Sequence, residues 1–242
     1  MSKLKMFGTT VLVVCYLIAV GFADRYGNTD NEKALMASTA WISEKTLPAI
    51  ILDAGHGGID GGCVSYNGVS EKGINLNIMR NLKSLLEAYG YEVVVTRDSD
   101  KSIHDEDVQG LSNQKKSDMK NRLEIFNSKE NAIALSIHQN QYSDSKYSGA
   151  QMFYSETNPD SVNLALCLQQ AFVDNIQPDN KREVKLTGDD LYLIYYAKVP
   201  SVMIECGFLS NPEEADLLLT ESYQKKVAFT IFKGINDYLG TA

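Results

Sequence analysis

Short apolar runs alternate with longer amphipathic segments from about residue 48 to the end of the chain. Residues 71–89 repeat apolar side chains at helical spacing, as in Ile74, Ile78 and Leu82, and Gly90 follows as a helix-ending residue. The run Ala132–Ile137 is short and apolar, which is typical of a buried strand. The remaining pattern predicts helices at 117–128, 161–175, 212–219 and 223–239, and strands at 50–53, 91–96, 150–154 and 199–205.

This alternation predicts an α/β fold in which helices cover both faces of a central sheet. The chain contains no internal repeat and no low-complexity tract. Its hydrophobic fraction of 44% is enough for a sizeable core. We therefore assign residues 48–242 to one domain.

The first 23 residues have the pattern of an export segment. Two lysines precede an apolar run over residues 6–23, which ends in Gly-Phe-Ala ahead of a polar stretch. This is the layout of a secretory signal peptide, and the run is also long enough for an uncleaved membrane anchor that contacts the lipid. Residues 24–47 are predicted to be a linker. Both alternatives place the body of the protein outside the cytoplasm, either secreted or membrane-anchored in the cell envelope.

Charge and cysteine content argue against several classes of protein. The net charge is −8 and no basic stripe is present, so nucleic acid is not an expected partner. Cys15 lies in the N-terminal segment, and the remaining three cysteines are too few and odd in number for a disulfide framework. The absence of a Cys-x-x-Cys pair argues against a thiolate zinc site.

Side chains able to do chemistry occur at the ends of predicted strands. His56 stands in the glycine-rich stretch IILDAGHGGIDGG, His138 follows SI at the end of a strand, and Glu205 ends another strand. In open α/β sheets, ligands bind at the carboxyl ends of strands. Glu71, which begins the first predicted helix, completes a set of two imidazoles and two carboxylates. Two imidazoles and one carboxylate suit a catalytic zinc ion, and the second carboxylate, Glu205, suits proton transfer.

Each of these residues also has a structural interpretation. Glu71 stands where a helix dipole favours a carboxylate. His138 suits a hydrogen-bonded histidine of the core, and His56 suits a cap on the glycine loop. Glu205 is harder to explain structurally, because a carboxylate near a core is costly unless it is paired or functional.

Other polar residues leave two interpretations open. Asn140 either orients a substrate or caps a turn, whereas Arg97 and Arg122 are best explained by pairing within the fold. His104 lies in a charged loop and is predicted to be solvated. Cys206 has no free histidine to activate it as a nucleophile.

Four motifs occur in order along the chain: DAGHGGIDGG, SEKGINLNI, SIHQN and VMIECGFLSNPEEADLL. With them, the chain resembles the zinc-dependent N-acetylmuramoyl-L-alanine amidases over about residues 49–240. The resemblance implies that His56, Glu71 and His138 bind Zn²⁺ and that Glu205 is the catalytic carboxylate. It also implies a mixed, mostly parallel sheet of about six strands. The implied substrate is peptidoglycan, cut between the lactyl group of muramic acid and L-Ala.

The layout of a signal-like segment and one amidase domain resembles the CwlD-type sporulation amidases in particular. This implies action on the spore cortex from the forespore intermembrane space, with a downstream deacetylase that closes the muramic-δ-lactam. Residues 141–149 are too short for the helical insert with which some division amidases block their zinc, so an activating accessory protein or the supply of metal is expected to provide control. A division or autolytic amidase, a zinc peptidase and a non-catalytic wall-binding protein stay as alternatives.

Overall fold

The computed structural model describes residues 47–241, so the predicted export segment 1–23 and all but the last residue of the predicted linker 24–47 lie outside the described residues. Within 47–241 no helix has both the length and the apolar character needed to cross a membrane. The elements follow in the order β1 (Ala49–Ala54), α1 (Glu71–Ala88), β2 (Val93–Val95), α2 (Leu111–Phe126), β3 (Ala132–Asn140), β4 (Gln151–Tyr154), α3 (Ser161–Asn175), β5 (Lys185–Leu186), α4 (Tyr192–Tyr196), β6 (Ser201–Phe208), α5 (Pro212–Leu218) and α6 (Glu221–Leu239).

One six-stranded sheet, in the order β2-β1-β3-β6-β4-β5, forms the centre of these residues. Strands β2, β1, β3 and β6 are parallel to one another, and β4 runs antiparallel to β6. The prediction of a mixed, mostly parallel sheet is therefore confirmed. The parallel strands β1, β3 and β6 end at the same edge, which is where such sheets bind ligands.

Helices cover both faces of the sheet, as predicted. Leu52, Leu135 and Ile204 face the larger core, which α1, α3 and α6 complete. Ile51 and Ala134, one residue away on the same strands, face a smaller core beneath α2 and α4. The alternation follows from the two-residue period of a strand, and because both faces are buried, the strands are nearly continuous in apolar residues.

Several elements differ from the prediction. Strands β3 and β6 continue to Asn140 and Phe208, so His138 and Glu205 lie two and three residues before the ends of their strands rather than at them. Helix α2 begins at Leu111 rather than Ser117. The early start was not predicted because the first turns are polar, and only Arg122 and Phe126 are buried along the length of the helix. Strand β5 and helix α4 were not predicted, since two and five residues are too few to show a hydrophobic period.

The end of β1 is tied to α2 by a buried ion pair. Arg122 donates to the Asp53 carboxylate at 2.5 Å and to the carbonyl of His56 at 2.7 Å. Asp53 also accepts from Ser136 and Thr96, both at 2.6 Å, on the neighbouring strand and just after β2. Burial alone would raise the pKa of Asp53, but the charge of Arg122 and these two hydroxyl groups lower it.

Two glycines in helices allow a stability test of the packing. A Cβ at Gly234 in α6 would lie 2.9 Å from the Cα of Leu168 in α3, whereas a Cβ at Gly73 in α1 would meet nothing within 4 Å. We expect Gly234→Ala to lower the free energy of unfolding by about 1–3 kcal/mol through overpacking. Gly73→Ala should raise it by about 0.5–1 kcal/mol, because alanine favours a helix. Urea denaturation measures both, and a gain at Gly234 would contradict the close helix contact.

The Arg122 pair gives a second prediction. We expect Arg122→Met to lower the free energy of unfolding by about 3–5 kcal/mol, because it leaves Asp53 buried without its cation. Lys120→Met, on the same helix, is the matched control: its side chain is 70% exposed, with Nζ 3.9 Å from Glu124, and its loss should cost no more than about 0.5 kcal/mol. Urea denaturation of both variants is the measurement, and equal losses would show that Arg122 does not support the strand end.

Candidate active site and metal centre

The glycine-rich loop after β1 turns sharply at His56. This residue has φ 63°, a left-handed conformation that glycine adopts easily and other residues rarely do. Two buried arginines hold the turn: Arg97 donates to the carbonyls of Ala54 and Gly55 at 2.8 and 3.0 Å, and Arg122 to that of His56. The predicted pairing with carboxylates of the fold is confirmed for Arg122, whereas Arg97 binds backbone carbonyls instead.

The turn brings His56 to Glu71 and His138. His56 Nε2 contacts Glu71 Oε1, and His138 Nδ1 lies 3.6 Å from the same oxygen. One ligand atom from each of the three residues lies within 4.8 Å of the other two. Among residues 47–241 this is the only cluster of three or more histidine, cysteine or carboxylate side chains that meets this criterion. Three predicted ligands from β1, α1 and β3 thus converge on one point.

Two loop glycines make room for these side chains. A Cβ at Gly55 would lie 2.2 Å from the Cε1 atom of His138, and one at Gly62 would lie 2.2 Å from Glu71 Oε1. Gly62 also has φ 70°. A larger residue at either position would push into the cluster, which explains two of the glycines around His56.

Neighbouring groups orient the cluster. Asp60 Oδ2 lies 3.0 Å from His56 Nδ1, which leaves Nε2 directed at Glu71. The backbone N–H of Gln139 donates to Glu71 Oε2 at 2.8 Å, and the Cys63 thiol donates to the same oxygen at 3.4 Å. Sequence reasoning missed these three residues. Only Asp60 could have been found, as a carboxylate four residues after a candidate ligand.

The cluster is electrostatically self-consistent. Burial opposes the charge of Glu71, but hydrogen bonds from His138 and His56 hold its pKa well below the usual range. Burial likewise opposes the charged form of His56, and Glu71 with Asp60 outweighs it and raises the pKa of that imidazole. A cation is therefore favoured between these groups, either a proton or a metal ion. Two imidazoles and one carboxylate are a donor set that suits a divalent transition metal.

Glu205 lies directly beside this cluster. It is the register partner of His138 on the neighbouring parallel strand, so the two side chains leave the sheet on the same face. Its Oε2 atom is buried and has no hydrogen-bond partner within residues 47–241. Burial, together with the charge of Glu71, raises its pKa to about 7 against the opposing effect of the two histidines. Such a carboxylate can take up and release a proton near neutral pH.

The other predicted residues lie around or outside the cluster. Asn140 ends β3, where its side chain accepts from the N–H of Gln141 at 2.8 Å, as a turn cap does; its substrate role stays a prediction. His104 is half-buried rather than solvated, with Nδ1 2.8 Å from Ser102 Oγ, and it is not part of the cluster. Cys206 is buried and burial raises the pKa of its thiol, which does not suit a nucleophile.

The connection between β3 and β4 contains no helix in residues 141–149. The prediction that this segment carries no helical insert is therefore confirmed. His56 and His138 keep 25% and 18% of their side chains exposed, so the cluster opens to solvent.

Comparison with known proteins agrees with this site. The family model described as N-acetylmuramoyl-L-alanine amidase matches residues 50–237. The germination-specific N-acetylmuramoyl-L-alanine amidase of Bacillus subtilis is 34% identical over 217 residues, covering 90% of this chain and 88% of the relative. The amidase AmiA of Escherichia coli is 28% identical over 231 residues, covering 78% of this chain and 75% of the relative.

Among solved structures, the CwlD amidase from Clostridioides difficile, solved in complex with the GerS lipoprotein, is similar with a TM-score of 0.77 and 42% identity. The match covers 81% of this chain and all of that one. The family model spans most of the chain, and the Bacillus relative exceeds 30% identity over nearly its full length. The chain therefore belongs to the N-acetylmuramoyl-L-alanine amidase family.

Proposed function

We propose that this protein is a zinc-dependent amidase that cuts stem peptides from peptidoglycan at the bond between the lactyl group of muramic acid and L-Ala. One observation carries the proposal: His56, Glu71 and His138 converge beside Glu205, whose buried oxygen has no partner in the described chain. His56, Glu71 and His138 would hold the zinc. When bound, zinc would polarise the scissile carbonyl and make water a better nucleophile at neutral pH.

Glu205 is the proton carrier in this proposal. In the metal-free protein, burial raises the pKa of Glu205 to about 7, and its carboxylate is placed beside the ligands to accept a proton from the attacking water. The same group then gives that proton to the departing nitrogen of alanine. Because Oε2 has no partner in the described chain, no internal hydrogen bond must break before the transfer.

Asp60 and Gln139 prepare the ligands. Asp60 accepts from His56 Nδ1 and so leaves Nε2 as the nitrogen that would bind the metal in place of a proton. The Gln139 N–H occupies one oxygen of Glu71 and leaves the other facing the two imidazoles. Both contacts restrict the conformations of the ligand side chains, so that metal binding would cost less conformational entropy.

We infer a role in the spore cortex from the relatives. The Bacillus relative is named for germination, and the Clostridioides neighbour is a CwlD amidase. In this role the product would pass to a deacetylase that closes the muramic-δ-lactam. The same role places the protein outside the cytoplasm, exported by its N-terminal segment to the cell envelope or the forespore intermembrane space. The CwlD structure contains a lipoprotein partner, which supports an accessory protein for this chain as well.

Mass spectrometry of digested peptidoglycan tests the activity. An amidase releases whole stem peptides with a free N-terminal alanine and leaves the lactyl group intact. Cuts within the stem peptide would instead indicate a peptidase. Zinc bound without release of any product, with and without proteins of the same envelope compartment, would favour a wall-binding protein.

Glu205→Gln tests the proton carrier. We expect kcat to fall by about 10²–10⁴-fold, because glutamine keeps the shape but cannot carry the proton. Bound zinc should stay at the parent level. Glu213→Gln, an exposed carboxylate in the first turn of α5, is the matched control and should keep full activity. Activity at the parent level in Glu205→Gln would remove Glu205 from this role.

A stability measurement checks that the same variant is folded. Glu205 has a folded pKa of about 7, above its usual 4.5, so ionising it weakens the folded state as pH rises between these values. In the metal-free protein, Glu205→Gln should therefore melt at a higher temperature than the parent above pH 7. The difference should disappear below pH 4.5, where the parent carboxyl is protonated in both states.

The zinc ligands give a further prediction. We expect His138→Ala to lose zinc on dialysis, because one imidazole of the donor set is gone. His104→Ala is the control, since it removes the remaining histidine of the chain, which lies outside the cluster. Metal content by elemental analysis is the measurement. Retention of zinc by His138→Ala, or its loss from both variants, would contradict the assigned ligand set.

A further inference from the structure

Arg182 lies in the loop before β5. It is on the side of Glu205 that is opposite to the metal cluster. Its guanidinium donates to Gln151 Oε1 at 2.7 Å and to the carbonyl of Ser148 at 2.9 Å. The same group lies over the ring of Phe208 at 4.5 Å and that of Tyr147 at 6.0 Å. Four contacts thus hold one cation in a single place.

The sheet register aligns this cation with the catalytic residues. Glu205 pairs with His138 on one side and with Gln151 on the other. Directly paired residues point to the same face, so His138, Glu205 and Gln151 form one row across three strands. Arg182 extends this row by one side chain, because Gln151 is its hydrogen-bond partner.

No carboxylate of the described chain forms an ion pair with Arg182. Within residues 47–241 it makes no ion pair within 4 Å, and its Nη2 atom donates no hydrogen bond. The charge of Arg182 lowers the pKa of Glu214 against the larger effect of burial, and the two Glu214 oxygens accept from the N–H groups of Gly149 and Phe208. On the opposite side of the cluster, two lysines do form ion pairs: Lys115 lies 3.0 Å from Asp60, and Lys72 lies 2.7 Å from Asp100.

The distances suit the peptide half of the substrate. Strands lie about 4.8 Å apart, so β4 is roughly 10 Å from β3 across the row. Three residues of extended peptide span about 10 Å. A peptide whose first amide lies at the metal cluster would therefore bring its second or third residue to Arg182. The glycan half, linked through the lactyl amide, offers no carboxylate at that point, whereas peptide residues carry them.

We propose that Arg182, held by Gln151 and stacked on Phe208, is a specificity-determining residue that binds a free carboxylate on the second or third residue of the stem peptide. The inference rests on the proposed amidase function. A planar guanidinium matches a carboxylate with two parallel hydrogen bonds, and its fixed position reduces the entropy lost on binding. Substrates whose carboxylates are amides would be poorer.

Two soluble disaccharide–peptide substrates test this, identical except that the carboxylates of residues two and three are free in one and primary amides in the other. We expect the parent enzyme to prefer the free acid by about 10- to 100-fold in kcat/KM, as for a hydrogen bond to a charged group. Arg182→Gln should lose about that factor on the free acid and little on the amide. Arg182→Lys should recover part of the preference.

Lys233→Gln is the control for net charge, because it removes an exposed cation from α6 on the other face of the sheet. It should keep the preference. Binding of both uncleaved substrates to Glu205→Gln, with and without Arg182→Gln, should show the same preference in Kd, and the metal content of all variants should be equal. Equal cleavage of the two substrates by the parent, or equal losses on both in Arg182→Gln, would overturn the inference. Failure of the amidase function itself would be seen separately, as no cleavage of either substrate by the parent.

Discussion

The buried guanidinium of Arg122 is the contact on which the site depends. It neutralises Asp53 inside the sheet and binds the carbonyl of His56 just past the strand end. A left-handed histidine is unfavourable by itself, and the loop that holds it is rich in glycine, which costs entropy to order. The ion pair offsets these costs, because it joins α2 to β1 and to the loop in one network. The position of the first imidazole is therefore a consequence of core electrostatics.

The candidate residues on β3 and β6 could be predicted because their polar side chains contrast with the apolar runs that precede them. His138 and Glu205 each follow an apolar run that must be buried, and parallel strands end at one edge. Gln139 could not be predicted, since it acts through a backbone N–H that every residue has. Arg182 could not be predicted either, because only the antiparallel pairing of β4 brings Gln151 to Glu205. Helix α4 and strand β5 could not be predicted, because a hydrophobic period needs more residues than these two elements contain.

Glu205 is stabilised poorly by its surroundings. A carboxylate in a structural role would be paired, as Asp53 is with Arg122, Ser136 and Thr96. Both groups are held in the sheet, yet the surroundings lower the pKa of Asp53 and raise that of Glu205. The difference comes from partners rather than depth, which is how an α/β fold separates a structural carboxylate from one that can exchange protons.

The overall charge of the chain bears on how it meets its substrate. A net charge of −8 does not favour long-range attraction of a polymer whose peptides carry carboxylates. Attraction must then be local. Next to the catalytic row, Lys115 and Lys72 on the β1 side are paired with acids of the chain, while Arg182 on the β4 side is not. Arg182 is therefore a cation that can still pair with an anion. In the substrate, the carboxylates are on the peptide half. In the proposal for Arg182, one unpaired cation beside the catalytic row therefore directs the peptide half of the substrate toward β4.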